Sequence, residues 1–249
     1  MRRFSRDVVS VPKCFALLLL CCISLPTLAS APRSFSEAKK IAWKLYAQQA
    51  VEFYCGCRYS GNQVDLKSCG YTPRKNPQRA ARIEWEHLVP AWVIGHQRRC
   101  WQQGGRKHCS RSDETFRRAE ADLFNLVPSI GEINGDRSNL PFAWLPNEPG
   151  QYGACLMVVD FRRGKVMPRP KVRGMIARTY FYMSQRYGLR LSRQEQQLFD
   201  AWSRHYPVEP WERQRNQRIA CVMGWNNPFV GSVDLSKCPA PFTGKGRNH

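Results

Sequence analysis

The strongest local signal in this chain is the stretch EWEHLVP, which runs from Glu84 to Pro90. It places two carboxylates and an imidazole within four residues, on a short apolar run that a proline ends. Alternate side chains of an extended strand share a face, so Glu84 and Glu86 should lie together. Trp85 and His87 should lie on the other face, and a slight twist would bring the Glu-His pair to one site. By itself the stretch favours a plainer interpretation, a surface turn with a hydrogen-bonded histidine.

A second segment changes that balance. Residues 122–128 are apolar and short, which predicts a second strand. Ser129 and Glu132 then have the spacing of a capping box, so a helix should begin there with Asn134 in its second turn. The sequence therefore predicts a core that consists of a strand, a long insert, a second strand and a helix. The first strand offers the Glu-His pair to this core and the helix offers Asn134.

The N-terminus has the plan of an export signal. A basic start precedes the apolar run from Cys14 to Ile23, which is too short to span a bilayer comfortably. Cleavage is predicted after Ala29 rather than after Ala31, because a proline would follow the second cut. We expect a signal peptide over residues 1–29 and a single exported domain over residues 30–249, in the periplasm or secreted, with no membrane contact.

Eight of the 11 cysteines remain once that signal is removed. An even number in an exported chain favours a disulfide framework. Cys100 and Cys109 close a short loop and form the pair that we favour most, and Cys57 with Cys69 is a weaker prediction. A zinc site is the alternative, but the C-x-C motif that starts at Cys55 has no matching C-x-x-C pair.

The charge of the chain points to a polyanionic partner. The 39 basic and 19 acidic residues give a net charge of +20, and about +17 remains after removal of the signal, enough to attract nucleic acid. Anionic cell envelope is the alternative, and charge alone does not separate the two. A basic, proline-containing loop at residues 73–79 precedes the first strand. It is interpreted either as a phosphate contact or as a solvated connection.

Hydrolysis of a phosphodiester needs a base for water, positive charge near the phosphate and stabilisation of the leaving oxygen. His87 is the candidate base. Glu86 and Asn134 are oxygen ligands, which suit Mg²⁺ or Mn²⁺ better than zinc. Arg106 lies in the loop that the Cys100–Cys109 pair would close, and its planar guanidinium can clamp a phosphate.

Several long, gapless stretches resemble the bacterial endonuclease I family, and the resemblance covers roughly Ser36 to Cys238. They are EWEHLVPAW from Glu84, GHQR from Gly95, CW at Cys100, GGRK from Gly104 and DLFNLVPSIGEINGDRSN from Asp122. At Phe124 this chain departs from some expected relatives, which would carry histidine beside the site.

The resemblance implies a periplasmic or secreted non-specific nuclease with a ββα-metal site. His87 would be the general base, Glu86 and Asn134 would hold Mg²⁺, and Arg106 would stabilise the phosphate. Double- and single-stranded DNA and RNA would be substrates, cut to leave 5′-phosphate ends. The expected fold class is α+β, a mainly helical single domain around a ββα-metal core, disulfide-stapled and monomeric.

Two other functions stay open on the sequence. One is a non-catalytic exported DNA-binding or DNA-uptake protein on the same scaffold, and the other is a cationic protein that acts on the cell envelope. Intact Glu86, His87, Arg106 and Asn134 favour the enzyme over both.

Other expectations concern neighbouring residues and elements. Glu84 is expected to orient the site from behind it, and Glu120 to be a surface carboxylate, although it too could orient the site. A helix is predicted over residues 34–53 and a strand over residues 152–160. The sequence also predicts an ion pair between Asp136 and Arg137, and a second capping box between Ser192 and Glu195.

Overall fold

In the computed structural model, which describes residues 31–239, nine α-helices and six short strands surround an apolar core. The helices are α1 (Phe35–Tyr46), α2 (Pro77–Ala80), α3 (Ala91–Gly95), α4 (Arg99–Ser112), α5 (Glu114–Glu120), α6 (Gly131–Arg137), α7 (Pro170–Tyr187), α8 (Arg193–His205) and α9 (Pro210–Met223). The strands are β1 (Arg58–Ser60), β2 (Gln63–Asp65), β3 (Ile83–His87), β4 (Leu126–Ile130), β5 (Val158–Asp160) and β6 (Lys165–Met167). The predicted signal peptide lies outside the described residues, and the domain prediction therefore stays a prediction.

The strand, insert, strand and helix predicted from the sequence are all present. β3 pairs antiparallel with β4, so that Glu86 is opposite Val127 and His87 is opposite Leu126. α6 follows β4 without a loop. The insert between the two strands carries α3, α4 and α5. The α+β class with mainly helical content around this ββα unit is therefore confirmed.

The start of α6 differs from the prediction. Ser129 lies inside β4, and no side chain caps the helix at Ile130. Glu132 instead accepts hydrogen bonds from the backbone N–H groups of Lys75 at 2.7 Å and Asn76 at 2.5 Å. The capping-box prediction was wrong because the carboxylate satisfies donors of a distant loop rather than those of its own helix. Asn134 becomes the fourth residue of α6.

The insert that the sequence presented as a loop is helical on both sides of a break. α4 is interrupted at Gly104 and Gly105, and Gly105 has a φ of +62°, a conformation that favours glycine. The Cys100–Cys109 disulfide joins the two sides of this break. Arg106 therefore begins the second helical segment and is held near the kink.

All eight cysteines of the predicted mature chain form disulfides, as expected for an exported framework. Both predicted pairs are confirmed, and the zinc alternative is wrong because each of these eight cysteines is bonded to another. The four bonds are Cys55–Cys155, Cys57–Cys69, Cys100–Cys109 and Cys221–Cys238.

α1 packs on one face of β3 and is shorter than predicted. The side chain of Ser34 caps it by accepting a hydrogen bond from the backbone of Glu37. It ends at Tyr46, because the chain then turns and Val51 forms a β-bridge with Arg58. The ring of Trp43 packs edge-on against Trp85, with centroids 5.1 Å apart. This contact fixes α1 beside the strand that carries the Glu-His pair.

The C-terminal half supplies a helical layer. The apolar face of α7 is buried, and α7 packs along α8. The capping box of Ser192 and Glu195 at the start of α8 is confirmed. The strand predicted over residues 152–160 is reduced to β5, which pairs with β6. Across residues 31–239, every helix is too short or too polar to cross a membrane.

Candidate active site

A cleft of about 1140 Å³ lies where β3, the second half of α6, the kink of α4 and the first turns of α1 meet. Glu86, His87, Arg106 and Asn134 all line it. The structure therefore brings together the four residues singled out from the sequence, although nearly 50 residues separate the first from the last along the chain.

Glu86 lines this cleft and is buried. Its Oε1 accepts a hydrogen bond from the hydroxyl of Tyr54 at 2.9 Å and is 3.2 Å from Nη1 of Arg137. Burial raises the pKa of Glu86 above its ordinary value, while Arg137 and the Tyr54 hydroxyl oppose that rise. The carboxylate is thus fixed in position but retains a tendency to hold a proton.

Arg137 fixes the end of β3 in addition to pairing with Glu86. Its guanidinium donates to the backbone carbonyl of His87 at 3.0 Å and to that of Leu88 at 2.6 Å. The predicted Asp136–Arg137 ion pair was therefore wrong. Asp136 pairs instead with Arg74 of the basic loop, at 2.9 Å. Side chains of adjacent helical residues point in different directions, so Asp136 and Arg137 pair with residues of other segments.

Asn134 is oriented by Glu84. Its amide nitrogen donates to Oε2 of Glu84 at 2.9 Å, and since a carboxylate only accepts, this contact fixes which end of the amide faces which way. The amide oxygen is then the atom directed away from Glu84. Burial would raise the pKa of Glu84, but hydrogen bonds from Arg79, Arg82 and Asn134 outweigh it and hold that pKa below its ordinary value. Glu84 is therefore ionised and stationary.

His87 is held in one tautomer. Its Nε2 lies 2.8 Å from the backbone carbonyl oxygen of Glu120. A carbonyl oxygen only accepts, so Nε2 carries the proton and Nδ1 keeps its lone pair. Burial lowers the pKa of His87 to about 3, the Glu120 carbonyl opposes this, and the charge of Arg106 adds to it. The imidazole is consequently neutral at physiological pH.

Arg106 is anchored by the side chain of the same Glu120. Its Nε is 2.5 Å from Oε1 of Glu120, while the hydroxyl of Ser110 donates to Oε2 at 2.8 Å. Glu120 is only 4% exposed, so its expected place on the surface was wrong. The arginine side chain remains 44% exposed, which leaves its guanidinium within reach of a ligand in the cleft.

The donor set in the cleft fits a hard divalent cation. Glu86 offers a carboxylate and Asn134 an amide oxygen, from different elements that line the same space. Mg²⁺ is commonly held by one or two such ligands, and it keeps several waters. Within residues 31–239 no three or more His, Cys, Asp and Glu side chains cluster as a metal site. The residues present therefore suit a sparsely ligated oxygen site rather than a closed one.

Sequence reasoning missed two partners of this site. Tyr54 and Arg137 both hold Glu86, yet neither belongs to a local pattern that predicts such a role. The only available signal for Arg137 was its place one turn after Asn134 in a short polar helix. Glu84 was expected to orient the site from behind it; the structure shows that it lines the cleft and accepts a hydrogen bond from the Asn134 amide.

Comparison with known proteins identifies the relatives of this chain. The model of the Endonuclease I family matches residues 27–233. An extracellular deoxyribonuclease of Aeromonas hydrophila is 52% identical over 223 residues, 87% of this chain and 94% of the relative. A periplasmic deoxyribonuclease of the same species is 50% identical over 236 residues, 92% and 98% of the two chains. An Endonuclease-1 of Buchnera aphidicola subsp. Acyrthosiphon pisum is 47% identical over 201 residues, 79% and 80%.

These matches place the molecule in the class of phosphodiester hydrolases, as an endonuclease. The chain belongs to the Endonuclease I family. The resemblance noted in the sequence is thereby confirmed.

Proposed function

We propose that this endonuclease is an exported, monomeric, Mg²⁺-dependent enzyme that hydrolyses DNA without sequence specificity, in the periplasm or outside the cell. Mn²⁺ would replace Mg²⁺, and RNA would be a further substrate. The observation that carries the proposal is the fixed tautomer of His87, which leaves Nδ1 unprotonated on a residue that lines the same cleft as Glu86, Arg106 and Asn134.

His87 is the general base of the proposed reaction. The bond from Nε2 to the Glu120 carbonyl leaves Nδ1 to take a proton from the attacking water. As Nδ1 is protonated, the imidazolium charge is stabilised by that same carbonyl dipole. The low pKa of the resting imidazole keeps it unprotonated, and a substrate phosphate nearby would raise its basicity.

Arg106 binds the non-bridging oxygens of the scissile phosphate. Its charge offsets the negative charge that grows during attack, and its planar fork suits two phosphate oxygens. The Nε contact with Glu120 anchors one edge of the guanidinium and leaves the terminal nitrogens for the substrate. Glu120 thus places the base through its backbone and the arginine through its side chain.

Glu86 and the amide oxygen of Asn134 are the residues that would hold Mg²⁺. When bound there, the ion would supply positive charge for the phosphate and the leaving oxygen, whose departure yields a 5′-phosphate end. Glu84 keeps the Asn134 amide turned the right way. Arg137 and Tyr54 keep Glu86 in place.

The chemistry of the substrate follows from what the cleft can contact. Phosphates carry no sequence information, and a strongly basic chain binds them on double or single strands alike. The relatives named extracellular and periplasmic deoxyribonucleases support DNA as the substrate and export as the destination. The four disulfides support an oxidising compartment.

The test is plasmid nicking by the purified, oxidised protein in Mg²⁺ and then in EDTA, with Glu86→Ala in parallel. We expect cleavage that requires the metal and is lost in the variant. No cleavage by the correctly disulfide-bonded wild type would instead favour a non-catalytic DNA-binding protein.

A further inference from the structure

The first turns of α1 form a wall of the cleft that the proposed mechanism does not use. Phe35, Lys39 and Trp43 line the cleft at intervals of four residues, which places them in one row along the helix. The row lies on the same face of β3 as His87. α1 therefore reaches the site from the side opposite to Glu84 and α6.

Phe35 contacts both of the groups that would act on the phosphate and the water. The centroid of its ring lies 4.6 Å from that of His87, with the two planes tilted by 41°. The central carbon of the Arg106 guanidinium lies 5.2 Å from the same ring centroid. The ammonium of Lys39 is 4.9 Å away from it. The ring of Phe35 thus contacts both the candidate base, His87, and Arg106, the residue expected to bind the phosphate.

The backbone holds this ring in place. Phe35 is the first residue of α1, directly after the cap formed by Ser34. The carboxylate of Glu37 also accepts a hydrogen bond from the backbone N–H of Arg33, at 2.9 Å. Hydrogen bonds therefore hold the backbone on both sides of Phe35, and this restricts the position of the Phe35 ring relative to β3.

The hydrogen bonds of the site still permit rotation of the His87 and Arg106 side chains, and packing against the Phe35 ring can restrict it. One bond from Nε2 fixes a point on the His87 ring but permits rotation about the line to the Glu120 carbonyl. One contact at Nε likewise permits the Arg106 guanidinium to swing about Glu120. A ring packed against both groups restricts both motions, and a cation over an aromatic face is itself favourable.

We propose that Phe35 is a positioning residue of the reaction, which fixes the plane of the His87 imidazole and the direction of the Arg106 guanidinium. The proposal rests on the function proposed above. It assigns to α1 a part in the chemistry, beyond its packing against Trp85.

Steady-state cleavage of a fluorescent duplex in Mg²⁺ tests the proposal. Phe35→Leu should lower kcat about 10- to 100-fold while KM changes less than threefold, since orientation matters most in the transition state. Phe35→Tyr keeps the ring and should stay within threefold of wild type. Phe161→Leu is the matched control. The guanidinium of Arg74 lies over the Phe161 ring, 4.4 Å from its centroid, but Phe161 does not line the cleft.

A double-variant cycle identifies the group through which Phe35 acts. If Phe35 works partly through Arg106, the loss in Phe35→Leu with Arg106→Ala should be smaller than the product of the two single losses. Losses that multiply would remove Arg106 from the proposal. The Nε–H resonance of Arg106, assigned by its absence in Arg106→Ala, should move in Phe35→Leu and remain near its place in Phe35→Tyr.

Other outcomes overturn the proposal. An active wild type with an equally active Phe35→Leu would refute the role of Phe35 and leave the proposed function intact. A kcat loss shared by Phe35→Tyr, or one that tracks a lowered Tm, would mean that the ring is only structural. Absence of metal-dependent cleavage by the wild type would overturn the proposed function, and this role with it.

Discussion

The backbone carbonyl oxygen of Glu120 lies 2.8 Å from Nε2 of His87, although 33 residues separate the two in sequence. The carboxylate of the same residue holds Arg106. The end of α5 is thus a support shared by the base and the arginine. Its two contacts can be separated by mutation, because one belongs to the backbone and the other to the side chain.

Loss of the imidazole should greatly reduce turnover and leave DNA binding intact. His87→Ala should lower kcat about 10³-fold, since a general base acts mainly in the transition state. The Kd for DNA, measured in Ca²⁺ by fluorescence anisotropy, should change less than threefold. His96→Ala is the control, because His96 stacks on Trp92 away from this cleft. An equal loss of binding and turnover in His87→Ala would contradict the role of base.

Removing only the Glu120 carboxylate charge should affect Arg106 and spare His87. Glu120→Gln keeps the carbonyl that accepts from Nε2 but weakens the contact with the guanidinium, so kcat should fall about 10-fold or more. In an Arg106→Ala background the same change should cost almost nothing. A full further loss in that background would show that Glu120 acts on another group.

The fall of kcat/KM at acid pH should have its midpoint well below the ordinary histidine pKa of about 6.5. A lowered pKa, about 3 for His87, means that the neutral base persists as the pH falls through 6.5, because protonation of a buried imidazole is unfavourable. The measurement is kcat/KM from pH 4.5 to 8 at saturating Mg²⁺. A midpoint near 6.5 that does not move with metal concentration would contradict the burial argument.

Glu84 should control the affinity for the metal. Glu84→Gln removes the charge that attracts Arg79 and Arg82 and frees the Asn134 amide to turn, so the Kd for Mg²⁺ should rise about 10-fold. Calorimetric titration of the apoprotein measures it. Glu114→Gln is the control, because Glu114 forms an exposed ion pair with Arg118 on α5. Unchanged Kd values for both variants would remove Glu84 from the metal site.

The disulfide across the kink of α4 should contribute to activity as well as to stability. Replacing Cys100 and Cys109 together by serine should lower the free energy of unfolding by about 2.5 kcal/mol, from the entropy of a short closed loop. It should also lower kcat at temperatures well below Tm, since the bond holds the segment that begins at Arg106. The matched variant replaces Cys221 and Cys238, which lie far from that segment in sequence. Equal kcat values in the two variants would limit the bond to a stabilising role.

The metal, the roles of the four site residues and the substrate range stay predictions, whereas much of the framework is confirmed. Alternation along β3 correctly put Glu84 and Glu86 on one face and Trp85 and His87 on the other; the structure adds that the first pair contacts α6 and the second pair contacts α1. Spacing alone identified the Cys100–Cys109 bond. Both succeeded because they depend on neighbours in the chain.

The errors have the opposite origin. Glu132 has the spacing of a capping box but binds backbone donors 56 to 58 residues away. Glu120 has the place of a surface carboxylate in α5 but is buried, with its carboxylate bonded to Arg106 and Ser110 of α4. A local sequence pattern predicts the contacts that a residue can make with its neighbours in the chain. It does not predict the stronger hydrogen-bond partners that folding brings from distant segments.

The amino-acid sequence by itself determined the order of strand, insert, strand and helix, the face of β3 on which each side chain lies, and the family of the chain. These follow from backbone geometry and from residue spacing. Only the tertiary structure decided the tautomer of His87, the orientation of Asn134 and the partners of Arg137. Each of these depends on a donor and an acceptor from distant segments, and burial away from water makes their pairing obligatory.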